Sequence, residues 1–132
     1  MPVEKIKEYA TVYTIGSVGY SMIEILWRGF THWTMALTGG VCFLFIHIAN
    51  FRLTGVNIWK KCLAGSTIIT LIEFVVGCIV NRLLHMNVWD YSKQFLNIMG
   101  QVCPLYSILW FFLCIPTFGL SRFIKQKMFP KN

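Results

Sequence analysis

Residues 9–27, 33–48, 62–84 and 102–124 are apolar almost without interruption, and runs of that length restrict the fold more than any other feature of the chain. At about 1.5 Å of rise per helical residue each can cross a hydrocarbon core about 30 Å thick, the second only if it stands upright or extends into the loop after it. Inside lipid every backbone N–H and C=O needs a protein partner, so only helices or a closed barrel can span, and these segments lack the alternating polarity of barrel strands. Composition agrees: 56% of residues are apolar and 13% charged, too little charge to cover a soluble domain of this size. The expected fold is all-α, a polytopic membrane bundle of four transmembrane helices in a single integral membrane domain covering residues 1–132.

The basic residues are unevenly placed. Lys5 and Lys7 precede the first span, Arg52, Lys60 and Lys61 fall between the second and third, and Arg122, Lys125, Lys127 and Lys131 close the chain, nine in all. The opposite side holds three, Arg28, Arg82 and Lys93. The positive-inside rule then puts both termini in the cytoplasm of a multi-pass plasma-membrane protein, a parity that four spans satisfy. The net charge of +7 is therefore a topology signal and argues against a nucleic-acid partner. The N-terminal lysines before an apolar run imitate a secretion signal, but the run is long and has no Ala-x-Ala-like cleavage site, so it is expected to stay as the first helix. Five cysteines, Cys42, Cys62, Cys78, Cys103 and Cys114, are odd in number and lack metal-ligand spacing, which points to neither a disulfide framework nor a metal site. Pro104 suits the first turn of a helix, and Pro116 falls inside the last span.

An internal repeat can be drawn between residues 19–42 and 77–103, which share the order glycine, polar residue with arginine nearby, histidine, tryptophan, glycine, Val-Cys. Two parallel helix hairpins would produce it, and chance similarity among glycine, cysteine and aromatic residues explains it equally well. The strings IEILWRGFTHWTMALTGGVCF and LIEFVVGCIVNRLLHMNVWDYSKQFLNIMGQVC, followed by Ser107 and Trp110, resemble the CmpB-like family of bacterial membrane proteins labelled "putative ABC-transporter type IV", in its short single-unit form. The resemblance covers roughly residues 9–124, and the Trp-Asp-Tyr-Ser corner at 89–92 is its most specific element. It implies a transport-associated membrane protein, a permease-like subunit or carrier. An ATPase partner or assembly with further copies of itself would supply what four helices lack. The chain itself has no phosphate-binding loop of the Gly-x-x-x-x-Gly-Lys-Ser/Thr type, no nucleophile elbow and no sign of a cofactor, so no enzymatic activity is expected.

Candidate functional residues are polar groups where lipid should be. Glu73 lies near the middle of the third apolar run, where inserting a charge costs about 2.5–3.5 kcal/mol on biological scales. It is either a coupling carboxylate or a structural one that locks the bundle. Glu24 and Arg28 are four apart in the order that favours an ion pair on a helix. Together with His32, Asn81, Arg82, His85, Asp90, Asn97 and Gln101 they are expected to collect at the outer boundary, as a structural network or as a site for an anionic or zwitterionic headgroup or solute. Trp27, Trp33, Trp89 and Tyr91 read as an interfacial aromatic belt. Asp90 and Ser92 are turn and cap types, and residues 92–101 read as a short interfacial or re-entrant helix before the last span. A scaffold, lipid-binding or regulatory module within the bilayer is the alternative function.

Overall fold

The computed structural model describes residues 3–130; Lys131, one of the basic residues counted above, lies outside them. Four α-helices follow in order: α1 (Val3–Arg28), α2 (Trp33–Arg52), α3 (Ile58–Gly77) and α4 (Pro104–Met128), with α3 continuing into a π-helical turn, π1 (Cys78–Leu83). There is no strand among the described residues, only an isolated bridge between Ile98 and Val102. Three helices, α2, α3 with π1, and α4, are long and apolar enough to cross a membrane. α1 has the length, 26 residues, but Glu4, Lys5, Lys7 and Glu8 at one end and Glu24 and Arg28 at the other dilute its apolar character.

The helix ends follow local chemistry. The His32 ring nitrogen accepts from Thr34 N–H at 3.3 Å and starts α2. Asn57 Oδ1 accepts from Trp59 N–H at 2.8 Å and starts α3. Each cap satisfies an amide that the first helical turn leaves without a partner. The turn between α2 and α3 closes through Gly55 at φ +86°, backbone that glycine adopts without steric cost. α4 opens on Pro104, where the missing N–H has no helical acceptor to lose.

In a bilayer, helices gain little by hiding apolar surface from one another, so close backbone approach and interhelical hydrogen bonds hold them together. α1 meets α2 along Gly16, Gly39 and Gly40. A methyl on Gly40 would sit 2.8 Å from the Tyr13 ring, one on Gly39 would run into Tyr20, and one on Gly16 into Phe43. Ser17 Oγ donates to Ala36 O across the same seam at 2.7 Å. α3 meets α4 at Gly65, which faces Cys114 and Phe118, with Ser66 Oγ donating to Ser107 O at 2.6 Å and Thr70 Oγ1 paired with Ser107 Oγ at 2.8 Å. The bundle core between these seams is formed by Cys42, Ile46, Cys62, Ile69, Cys114 and Phe118. All five cysteines are free thiols.

One expectation is corrected. Residues 84–103 hold turns and bends with no helix, so the short helix expected before the last span does not form. Local side chains take the amides and carbonyls that a helix would need: Asn97 Nδ2 donates to Ser92 O and Gln94 O, both at 3.0 Å, and its Oδ1 accepts from Gly100 N–H at 3.0 Å. Leu96 and Met99 take left-handed backbone, at φ 53° and 55°, which no right-handed helix contains. Asparagine competing for backbone groups is the physical reason.

The α1–α2 seam yields a test. Gly39→Val should lower stability by about 1–3 kcal/mol, the usual cost of overpacking. Gly119→Ala, where a methyl meets nothing within 4 Å, should be neutral or gain up to about 1 kcal/mol of helix propensity. Thermal unfolding of the two variants in detergent measures the difference.

Candidate functional site

The helices bring polar groups together in three places. The first is the end expected to face outward, where α1 and π1 finish. Glu24 Oε2 and Arg28 Nε form an ion pair of 2.7 Å, and Arg28 Nη1 donates to Val88 O at 3.1 Å, tying α1 to the segment after π1. Asn81, buried in π1, accepts from Val88 N–H at 2.6 Å and donates to Gln101 Oε1 at 2.8 Å. Trp89 Nε1 donates to Gln101 O at 3.0 Å. This explains why α3 ends in glycine at position 77: a methyl there would meet Gln101 and, at 2.9 Å, the Trp89 ring. A π-turn inserts a residue into the helical ladder, and here it coincides with Asn81 turning to hold the loop.

The remaining predicted outer residues separate. Asp90 Oδ1 accepts from Ser92 N–H at 2.9 Å and Asn97 organises its own loop. Arg82 is exposed and donates to Met99 O at 3.4 Å. His85 is exposed with φ 54°, and His32 caps α2. Trp27 and Trp33 lie on the surface, Trp89 is buried among Met35, Val80 and Val88, and Tyr91 stacks on Tyr106 with ring centroids 4.6 Å apart. Burial first, and then the neighbouring Glu73 and Tyr106, push the Tyr91 phenol well above its usual range, so it stays neutral. The Ser92 amide, helped by the Ser92 side chain, holds the exposed Asp90 carboxyl below its ordinary value.

The second place is Glu73, 3% exposed. Its carboxyl faces the buried indole nitrogen of Trp110, and no salt bridge reaches it among the described residues. Tyr20, whose ring lies 5.8 Å from that of Trp110, and Glu24 are its electrostatic neighbours. An intramembrane carboxyl with no cation paired to it has capacity for a proton or a ligand donor. The adjoining cavity between the four helices, about 140 Å³ and lined by Ile15, Tyr20, Cys42, Ile46, Ile69 and Trp110 among others, is almost wholly apolar.

The third lies at the opposite end, where α1 and α3 begin and α2 and α4 finish. His47 Nε2 meets Glu8 Oε2 at 2.5 Å, and His47 Nδ1 meets Ser121 Oγ at 2.7 Å. Asn50 Nδ2 donates to Ser121 Oγ and to Phe118 O, both at 3.2 Å, and Lys61 Nζ donates to Asn50 Oδ1. Lys125 Nζ sits 3.1 Å from Glu8 Oε1, with Lys5 at 3.8 Å. Glu8, His47 and Ser121 are each at most 1% exposed. A histidine between a carboxylate and a hydroxyl can take up a proton on one ring nitrogen and release one from the other, so this chain can relay a proton across three helices, α1, α2 and α4. Sequence reading passed over it because Glu8 and Lys61 fell at span boundaries. The signal was present in His47 and Asn50, three apart and so on one face of α2, inside an otherwise apolar run.

Fold and site together define an all-helical membrane protein whose polar residues are concentrated in internal networks. The chain belongs to the family described as "Putative ABC-transporter type IV", matched over residues 9–130. No curated protein and no solved structure matches it.

Two measurements probe these networks. Glu8→Ala strands His47 and Lys125 in the interior and should cost about 3–5 kcal/mol, the range for breaking a buried pair; Thr11→Ala, on the exposed side of α1, should stay within about 0.5 kcal/mol. Thermal unfolding in detergent compares them. For Asp90 the folded pKa is depressed, so its contribution to loop order is present above the unfolded aspartate value near 4 and is lost as pH falls through the folded value. The Ser92 amide resonance should therefore titrate with a midpoint below that of a free aspartate, and in Asp90→Asn it should be flat.

Proposed function

We propose that the protein is the membrane-embedded subunit of a transport system, permease-like in role and non-enzymatic itself, working with an ATPase or with further copies of its own chain. The observation that carries this reading is the family match across residues 9–130. The interior supports it in a specific way. A cavity of about 140 Å³ with apolar walls is too small and too dry for a solute path, so a path would have to run between this chain and a partner. Large exposed apolar side chains along the helices, such as Leu26, Leu63, Leu71 and Phe112, suit lipid or such a partner.

On this reading four helices cross the plasma membrane. α1, at 26 residues about 39 Å long, carries no charged residue between positions 9 and 23 and lies along α2, so it crosses with it. The charge bias puts both termini in the cytoplasm. Glu73 is the coupling carboxyl, since it is a buried acid within the α3 span that no salt bridge reaches among the described residues. Hydrolysis is disfavoured despite the Glu8–His47–Ser121 order. Ser121 is fully buried in mid-helix, where neighbouring amides are spent on the helical ladder and none is free to serve an oxyanion.

The scaffold or lipid-binding alternative gains from the outer end, where Asn81, Asp90, Asn97 and Gln101 satisfy loop backbone rather than converge on an open site. Affinity purification of the intact protein in nanodiscs, with mass spectrometry of what remains bound, separates the two. The transport reading expects a stoichiometric ATPase or a defined homo-oligomer, and expects Glu73→Gln to abolish flux while leaving the melting temperature unchanged. A monomer that holds neither overturns it, as does a Glu73→Gln variant that unfolds.

A further inference from the structure

Beside the Glu8–His47–Ser121 chain, and sharing Asn50 and Lys61 with the network around it, lies a second cavity of about 260 Å³ at the same end of the bundle. Its walls come from the last turn of α2, the α2–α3 turn, the first turn of α3 and the α4 face that carries Arg122 and Gln126. Two cations line it. Lys61 is 6% exposed, its ammonium over the Phe118 ring at 4.9 Å and donating to Asn50 Oδ1. Arg122 is exposed on α4 and close enough to Lys61 to oppose its charge.

Among the described residues neither cation forms a salt bridge. The carboxylates are committed elsewhere: Glu8 to His47 and Lys125, Glu4 to Lys7, and Glu24 to Arg28. Glu73 is five residues beyond the midpoint of α3, and Asp90 is in the outer loop. A buried ammonium whose partners are an amide oxygen and an aromatic face, with a guanidinium that opposes its charge across the same cavity, is under-compensated. Three of its features describe an anion receptor: a compact ammonium that supplies point charge, a planar guanidinium that can bind two oxygens, and a cavity with room for a tetrahedral group between them. Exposed Thr54 and Gln126 at the rim add hydrogen-bonding side chains, and exposure of the rim leaves the cavity open to the boundary layer of the membrane.

We propose that this cavity binds a phosphate group through Lys61 and Arg122. The position fits either of two sources, the phosphodiester of an anionic phospholipid or a soluble phosphate. Lys61 stands three residues inside α3, about 4.5 Å along the helix axis, which is headgroup depth for a helix that begins at the interface. The proposal stands whether or not the chain takes part in transport, because its readouts are binding and stability.

The test uses the full chain in a phosphate-free detergent, titrated separately with inorganic phosphate and with short-chain phosphatidylglycerol, with short-chain phosphatidylcholine as the lipid control. Melting temperature and tryptophan fluorescence follow binding. A saturable rise with phosphatidylglycerol that phosphatidylcholine does not reproduce assigns the site to the lipid; a saturable rise with inorganic phosphate assigns it to the soluble ion. In either case Arg122→Gln should weaken binding at least about 10-fold, the scale of one charge-assisted contact, and Lys61→Met should abolish it. Arg122 is exposed, so its variant is expected to fold even if Lys61→Met does not. Absence of a saturable response to both phosphate probes, or equal affinity of Arg122→Gln and the unaltered protein, overturns the proposal.

Discussion

Each polar side chain that this protein takes into its apolar interior has to be answered by another, and the arrangement of the four helices follows from that. The Glu8–His47–Ser121–Asn50 chain draws one residue or more from α1, α2 and α4, and Lys61 adds α3. Because lipid gives no reward for apolar contact between helices, such a network fixes which helices are neighbours and at what height: a shift of one turn would separate partners now 2.5 to 3.2 Å apart.

The opposite end is built differently. There the partners of buried side chains are mostly backbone groups: Asn81 answers the amides of Val88 and Trp89, Trp89 answers the carbonyl of Gln101, and Arg28 answers that of Val88. The Trp-Asp-Tyr-Ser corner is thus a clasp that folds an irregular segment over the ends of α1 and α3. Glu73 lies between the two ends, beneath the clasp and against the Trp110 indole. One network is inter-helical, the other holds a loop, and the carboxyl sits nearer the loop.

Much of the architecture could be read in advance. The apolar runs located the helices within a few residues, since lipid permits no other way to satisfy the backbone, and Glu24–Arg28 followed from helical spacing alone. The short helix before α4 was misjudged because apolar character in FLNIM outweighed Asn97, whose side chain in fact captures three backbone groups. Trp89 was assigned to an aromatic belt by type, whereas Gly77 opens the space in which it is buried. Lys61 and Glu8 looked like ordinary boundary charges, since their burial depends on helices far away in sequence.

The sequence by itself determined the class of the protein, its helices and the direction of its charge bias, all of which follow from hydrocarbon length, backbone satisfaction and local spacing. Only the tertiary structure decided which polar residues meet. His47 and Ser121 are 74 positions apart and Lys125 and Glu8 are 117 apart, and nothing local selects one such pairing over another. Contact at that range is set by helix packing, where the small residues at 16, 39, 40 and 65 let backbones approach, and packing is a property of the whole bundle.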